Sequence, residues 1–166
     1  MKQLMTAFLL FAFICNAFAQ QSKDAPYQKQ KALPAFSLKT LQNKNFTKAN
    51  LPAGKPVLIF IFSPTCAHCA METKDIIENM ATLKKLSIVY ASISTDKQQI
   101  AEFILETGID AFPNIYLGMD TDLKLASFFR PTVTPFAAVY NSKHQLVQVF
   151  KDGYVMPKLL NTVKAL

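Results

Sequence analysis

The chain has 166 residues, 51% hydrophobic and 17% charged, with 18 lysines and arginines against 11 acidic residues for a formal net charge of +7. That length supports one domain with a proper core, and three cysteines are too few for a disulfide-stapled scaffold. The lysines are scattered and do not run together with aromatics, which speaks against nucleic-acid binding and for a solvated basic surface with some preference for acidic partners or anionic membrane.

Residues 1–19 read as a signal peptide. Lys2 supplies the positive start, Leu4 to Phe18 is nearly all apolar, and Ala17-Phe18-Ala19 fits the small-x-small cleavage pattern before Gln20. The apolar run is shorter than the roughly 20 residues that a membrane span needs. An uncleaved anchor is the rival, and a lipoprotein anchor on Cys15 is disfavoured by Ile14 before it. Cleavage removes Cys15 and leaves Cys66 and Cys69 in a mature chain of about 147 residues. Export to the periplasm or cell envelope puts that pair where disulfides persist.

Residues 20–32 are polar and rich in lysine and glutamine, and read as a flexible arm before a single domain over 33–166. Ala35–Leu38 and the region around Phe46 suggest two short strands with a turn at Asn43–Asn45. Leu51 to Pro56 is a loop. Val57–Phe62 is six apolar residues in a row, the pattern of a central strand buried on both faces. Ser63 and Pro64 break the run, Cys66-Ala-His-Cys69 follows, and Ile76, Ile77, Met80 and Leu83 then recur at helical spacing. The two cysteines therefore sit where a strand hands over to a helix N-terminus, whose unpaired amides and dipole favour a thiolate.

Leu86–Ile93 predicts a second buried strand. Ser94-Thr95-Asp96 caps a helix to about Thr107, with Ile100, Phe103 and Ile104 on one face and Gly108 as its stop. Phe112–Leu117 reads as a short strand, and Asp120–Phe129 as a helix with Leu123, Leu125, Phe128 and Phe129 apolar. Phe136–Tyr140 and Leu146–Phe150 form a hairpin through Asn141–His144. Pro157–Leu166 closes the chain as an amphipathic helix burying Leu159, Leu160, Val163 and Leu166. Strands alternating with helices and ending in a hairpin define an α/β fold with a central mixed sheet, without internal repeat or second domain.

Read from the residues, the Cys-x-x-Cys pair is a dithiol/disulfide couple or half of a zinc site. Zinc needs a second cysteine or histidine pair, and only His68 and His144 remain. No metal and no cofactor is therefore expected.

This order of elements resembles the thioredoxin-like fold, and is most similar to the exported TlpA/ResA-type thiol-disulfide oxidoreductases. The similarity spans roughly residues 33–166. Its marks are Pro34-Ala-Phe-Ser-Leu38 at the entry, an extra strand–helix segment at about 108–130, a Thr134-Pro135 dipeptide opening the hairpin, and a glutamate, Glu72, three residues after the second cysteine. The resemblance implies an N-terminal β extension and a strand–helix insert before a cis-proline. It implies that Cys66 is the nucleophile, favoured by the helix dipole and His68, and that Cys69 resolves the mixed disulfide. Glu72 shares the inward helix face, where a half-buried carboxylate would titrate high and take the proton of Cys69. An exposed helical glutamate is the alternative. Thioredoxin itself uses an aspartate six residues before the first cysteine, where this chain has Phe60.

Base rates do not choose a cis peptide among Pro113, Pro131 and Pro135; the resemblance chooses Pro135, with the Thr134 backbone left to pair with a substrate strand. Thr65 and His68 flank the nucleophile and complete the expected substrate-binding set. Two departures stand out: Thr65 replaces the family's common tryptophan, and Ala67-His68 replaces thioredoxin's Gly-Pro. The implied activity is disulfide exchange with partner proteins, as a reductase drawing on a membrane electron donor, with a monomer the expected state. The alternatives are a DsbA-like oxidant, a peroxiredoxin-like peroxidase (Ser63 standing where those enzymes keep a threonine), and a non-catalytic or copper-binding module.

Overall fold

The computed structural model describes residues 24–153, 155–156 and 158–166; the expected signal segment and residues 20–23 of the expected arm lie outside them. One mixed sheet holds seven strands: β1 (Ser37–Lys39), β2 (Asn45–Thr47), β3 (Val57–Phe62), β4 (Ser87–Ser92), β5 (Ile115–Met119), β6 (Phe136–Tyr140) and β7 (Leu146–Phe150). Their spatial order is β2-β1-β5-β4-β3-β6-β7. The pairs β3/β4 and β4/β5 are parallel, and the outer pairs are antiparallel. Five α-helices occur among the described residues: α1 (Ala67–Glu78), α2 (Met80–Leu83), α3 (Lys97–Thr107), α4 (Lys124–Phe129) and α5 (Lys158–Lys164).

Every residue of β3 is buried because the sheet has a layer on each side. Leu58, Phe60 and Phe62 face a core shared with Ile76 of α1, Phe103 of α3 and Leu159 of α5. Val57, Ile59 and Ile61 face a second core closed by Leu33, Phe36 and the Leu125, Phe128 and Phe129 side chains of α4. The period of two along the strand thus sends one sequence stretch to both cores. Rings knit the first core together, with Phe60 at 4.7 Å from Tyr90 and Phe62 at 4.6 Å from Phe103.

Two element boundaries and the burial of two leucines differ from the sequence reading. The third parallel strand starts at Ile115, not Phe112: Ile109–Ala111 winds a 3₁₀ turn, Pro113 has no N–H to donate, and the ladder to β4 opens at Ile88↔Ile115. The following helix starts at Lys124, not Asp120. The buried Asp120 carboxylate instead accepts from the amides of Lys124 (3.0 Å) and Ala126 (2.8 Å), and Leu123 sits outside the helix, exposed, at φ 53°. Leu166 is exposed, whereas Leu159 and Val163 are fully buried.

The arm differs most. Its described part, from Asp24, is docked on the domain. Pro26–Gln28 forms a 3₁₀ turn, Tyr27 packs on Phe129 and Phe136, and Ala32 bridges Gln145. Two backbone bonds, Leu33 N–H to His144 O (2.9 Å) and Leu146 N–H to Lys31 O (2.7 Å), explain why a polar composition does not leave it loose.

Candidate active site

The end of β3 and the start of α1 build the site. Ser63 and Pro64 end the strand, and a turn closed by Cys66 N–H to Ser63 O (3.1 Å) delivers Cys66 to the N-cap position of α1. Its sulfur occupies the place of a capping oxygen and accepts the Cys69 amide at 3.2 Å. The thiol of Cys66 also reaches the Thr134 carbonyl at 3.6 Å, across a gap of 68 residues in sequence. The Thr134–Pro135 peptide is cis, and Pro135 is buried. Helix terminus, cysteine pair and cis-proline therefore meet at one point, as the resemblance implies.

Both cysteines are free thiols, and their environments drive them apart. Partial burial would raise the Cys66 thiol. The hydrogen bonds it receives from Cys69, from the Thr134 side chain and from the His68 backbone outweigh that and hold it below its ordinary value. Cys69 is fully buried. Burial, then its hydrogen bond with Cys66, push its thiol up to about 12 against weaker opposing bonds from the Ser63 backbone and the Thr134 side chain. The two sulfurs are thus shifted in opposite directions, Cys66 toward easier and Cys69 toward harder loss of its proton.

Glu72 is buried, with only 4% of its surface exposed. Its Oε2 accepts the Met156 amide at 3.1 Å, and its Oε1 lies 3.6 Å from His68 Nε2, one helical turn back. The position that carries thioredoxin's aspartate is filled by Phe60, fully buried against Tyr90. Glu72 and Asp120 are the buried carboxylates among the described residues, and Asp120 is committed to the α4 terminus. That leaves Glu72 as the buried carboxylate of the helix that carries the dithiol.

Thr65 is exposed, its hydroxyl 3.2 Å from that of Ser63. It stands beside a groove of about 350 Å³ that opens next to Cys66 and runs past Ala67 and Met71 to the Lys74–Glu106 ion pair (2.9 Å) between α1 and α3. Met71 is 61% exposed there.

Sequence reasoning missed the segment after β7. The Met156 amide and the Gly153 turn, at φ 82°, lie against Glu72 and the His68 ring, while Val155 is buried in the same core as Cys69. A contact spanning 84 residues leaves no local signal; Gly153 alone hinted at a turn. His144 is far in sequence from every site residue and pairs through its backbone with Leu33 and Asn141.

Fold and dithiol together define a class: a thioredoxin-like protein with a Cys66-x-x-Cys69 pair at the start of the helix that follows its central strand. Residues 30–151 match the AhpC/TSA family, and the chain belongs to that family. It is similar in structure to a secreted Mycobacterium tuberculosis disulfide oxidoreductase homologous to E. coli DsbE, with a TM-score of 0.66 and 21% identity over 79% of this chain and 96% of that one. DsbF of M. tuberculosis, known in mixed oxidised and reduced forms, matches with a TM-score of 0.67 and 23% identity over 78% of this chain and 93% of its own. The thioredoxin domain of a Bacteroides vulgatus thiol-disulfide oxidoreductase matches with a TM-score of 0.66 and 18% identity over 87% and 98%. These likenesses establish the thioredoxin-like fold. No curated protein matches the chain.

Proposed function

We propose that this chain is an exported thiol-disulfide oxidoreductase that reduces disulfides in partner proteins. The observation that carries the reading is the split between the two thiols, Cys66 held low at the helix terminus and Cys69 buried and pushed up to about 12. In the forward direction the Cys66 thiolate attacks a client disulfide, forming the Cys66–client disulfide and releasing one client thiolate. Cys69 then loses its proton to Glu72 and attacks Cys66 Sγ. The second client thiolate leaves, and a Cys66–Cys69 disulfide remains. Two electrons pass to the client, so an external dithiol donor, delivered from the membrane, must regenerate the reduced pair.

The Thr134 carbonyl, next to cis-Pro135, faces Cys66, and this segment would offer backbone to an extended client strand, while Thr65 and His68 adjoin Cys66 in sequence. Export is supported by the pattern of residues 1–19. No helix among the described residues is long and apolar enough to cross a membrane.

A second reading has the opposite direction. His68 between the cysteines would favour the reduced form and so a DsbA-like oxidant. The Glu72 carboxylate, 3.6 Å from His68 Nε2, competes for that imidazole and supports the reductase reading. The roles are tested by trapping: Cys69→Ser accumulates mixed disulfides with clients and Cys66→Ser traps none. The reverse pattern overturns the assignment of nucleophile and resolving cysteine.

A further inference from the structure

Resolution leaves a proton inside the protein. Glu72, its acceptor in the mechanism above, has a side chain only 6% exposed, so it does not return that proton to water directly. One of its oxygens is occupied by the Met156 amide. The other faces His68 Nε2 at 3.6 Å, and the His68 side chain is 31% exposed. The Gly153 turn lies beside the ring, where a methyl placed on Gly153 would stand 3.5 Å from His68 Cε1 and 3.6 Å from Nδ1, and the exposed Asp152 next to it is paired with Lys158 at 3.0 Å. His68 thus spans the distance between a buried carboxylate and solvent.

We propose that His68 is the proton outlet of Glu72, a third member of the acid–base machinery besides its place beside Cys66; this rests on the reading of Glu72 as the proton acceptor. The Cys69 thiol gives its proton to the Glu72 carboxylate as the sulfur attacks. The protonated Glu72 passes it to His68 Nε2, closing 3.6 Å to hydrogen-bond distance, and the imidazolium releases a proton to water. Both groups are then restored, and the net change is one proton delivered to solvent for each disulfide formed.

The test uses the full reduced chain and 5,5′-dithiobis(2-nitrobenzoate), whose thiolate product stays unprotonated at neutral pH. Its first chromophore phase reports attack by Cys66 and its second reports resolution by Cys69, while a pH indicator in weakly buffered solution reports the arrival of the proton in water. In His68→Ala that proton is expected to appear about tenfold or more later than the second chromophore phase, with imidazole in the buffer restoring the coincidence seen in the unaltered chain. Glu72→Gln is expected to slow the second chromophore phase itself, without rescue. Proton release that keeps pace with the second phase in His68→Ala, or that lags but is insensitive to imidazole, overturns the outlet while leaving Glu72 as acceptor. An unchanged second phase in Glu72→Gln instead overturns the acceptor role on which the outlet depends.

Discussion

The unequal thiols predict how the reduced chain reacts with an alkylating agent. At pH 7 a thiol at the ordinary value of 9.0 is about 1% thiolate, and Cys66 lies below that value and so exceeds this share. Cys69, at about 12, keeps only about one part in 10⁵ as thiolate. The ratio of thiolate fractions is therefore at least about 10³. A more basic thiolate is the better nucleophile, with a Brønsted slope of about 0.4–0.5, which returns roughly 20-fold over that separation. The expected preference for Cys66 is then about 50-fold or more by the same slope, and the complete burial of Cys69 adds to it. A brief iodoacetamide pulse on the reduced chain, read by peptide mapping, should label Cys66 alone. Comparable labelling of both cysteines, or Cys69 first, would refute the argument that burial and helix-end hydrogen bonds separate them.

Other consequences follow from the same packing. Because the folded-state pKa of Cys69 is raised, its contribution to stability is complete below the unfolded thiol value of about 8.5. It is lost as pH rises toward about 12, at up to about 1.4 kcal/mol per pH unit. Thermal melts should show the reduced chain losing more stability between pH 8.5 and 10 than Cys69→Ala does. Gly118→Ala places a Cβ 2.8 Å from Leu38 Cβ and 3.1 Å from the Lys39 carbonyl, where β1 runs against β5. It should cost about 1–3 kcal/mol in urea unfolding. Asp120→Ala strips the Lys124 and Ala126 amides of their acceptor and should cost about 1–2 kcal/mol in the same assay, without changing the rate of Cys66 alkylation.

The framework of the sheet was legible because its signals are local. Six apolar residues at Val57–Phe62 leave no solvent face, Asp96 and Gly108 bracket α3, and Asn141–His144 joins two apolar runs. The cysteine pair was legible for the same reason, since strand end, breaker and helix start adjoin in sequence. What escaped was set by contacts between distant segments. A polar arm reads as loose until Tyr27 is seen against Phe129 and Phe136, and Leu123 reads as core until Asp120 takes over the helix start. Helical spacing from Cys69 and Ile76 put Glu72 on the inward face, and it is buried there. What that spacing could not report is its partner, the Met156 amide 84 residues away.

The reduction potential of the Cys66–Cys69 couple, from equilibration of the chain with glutathione buffers, tests the central claim most directly. The proposed reductase predicts one reversible two-electron couple near thioredoxin's value of about −270 mV or lower. A value near about −120 mV would make the protein a donor of disulfides, governed by His68. Absence of any reversible couple would contradict disulfide exchange as its function.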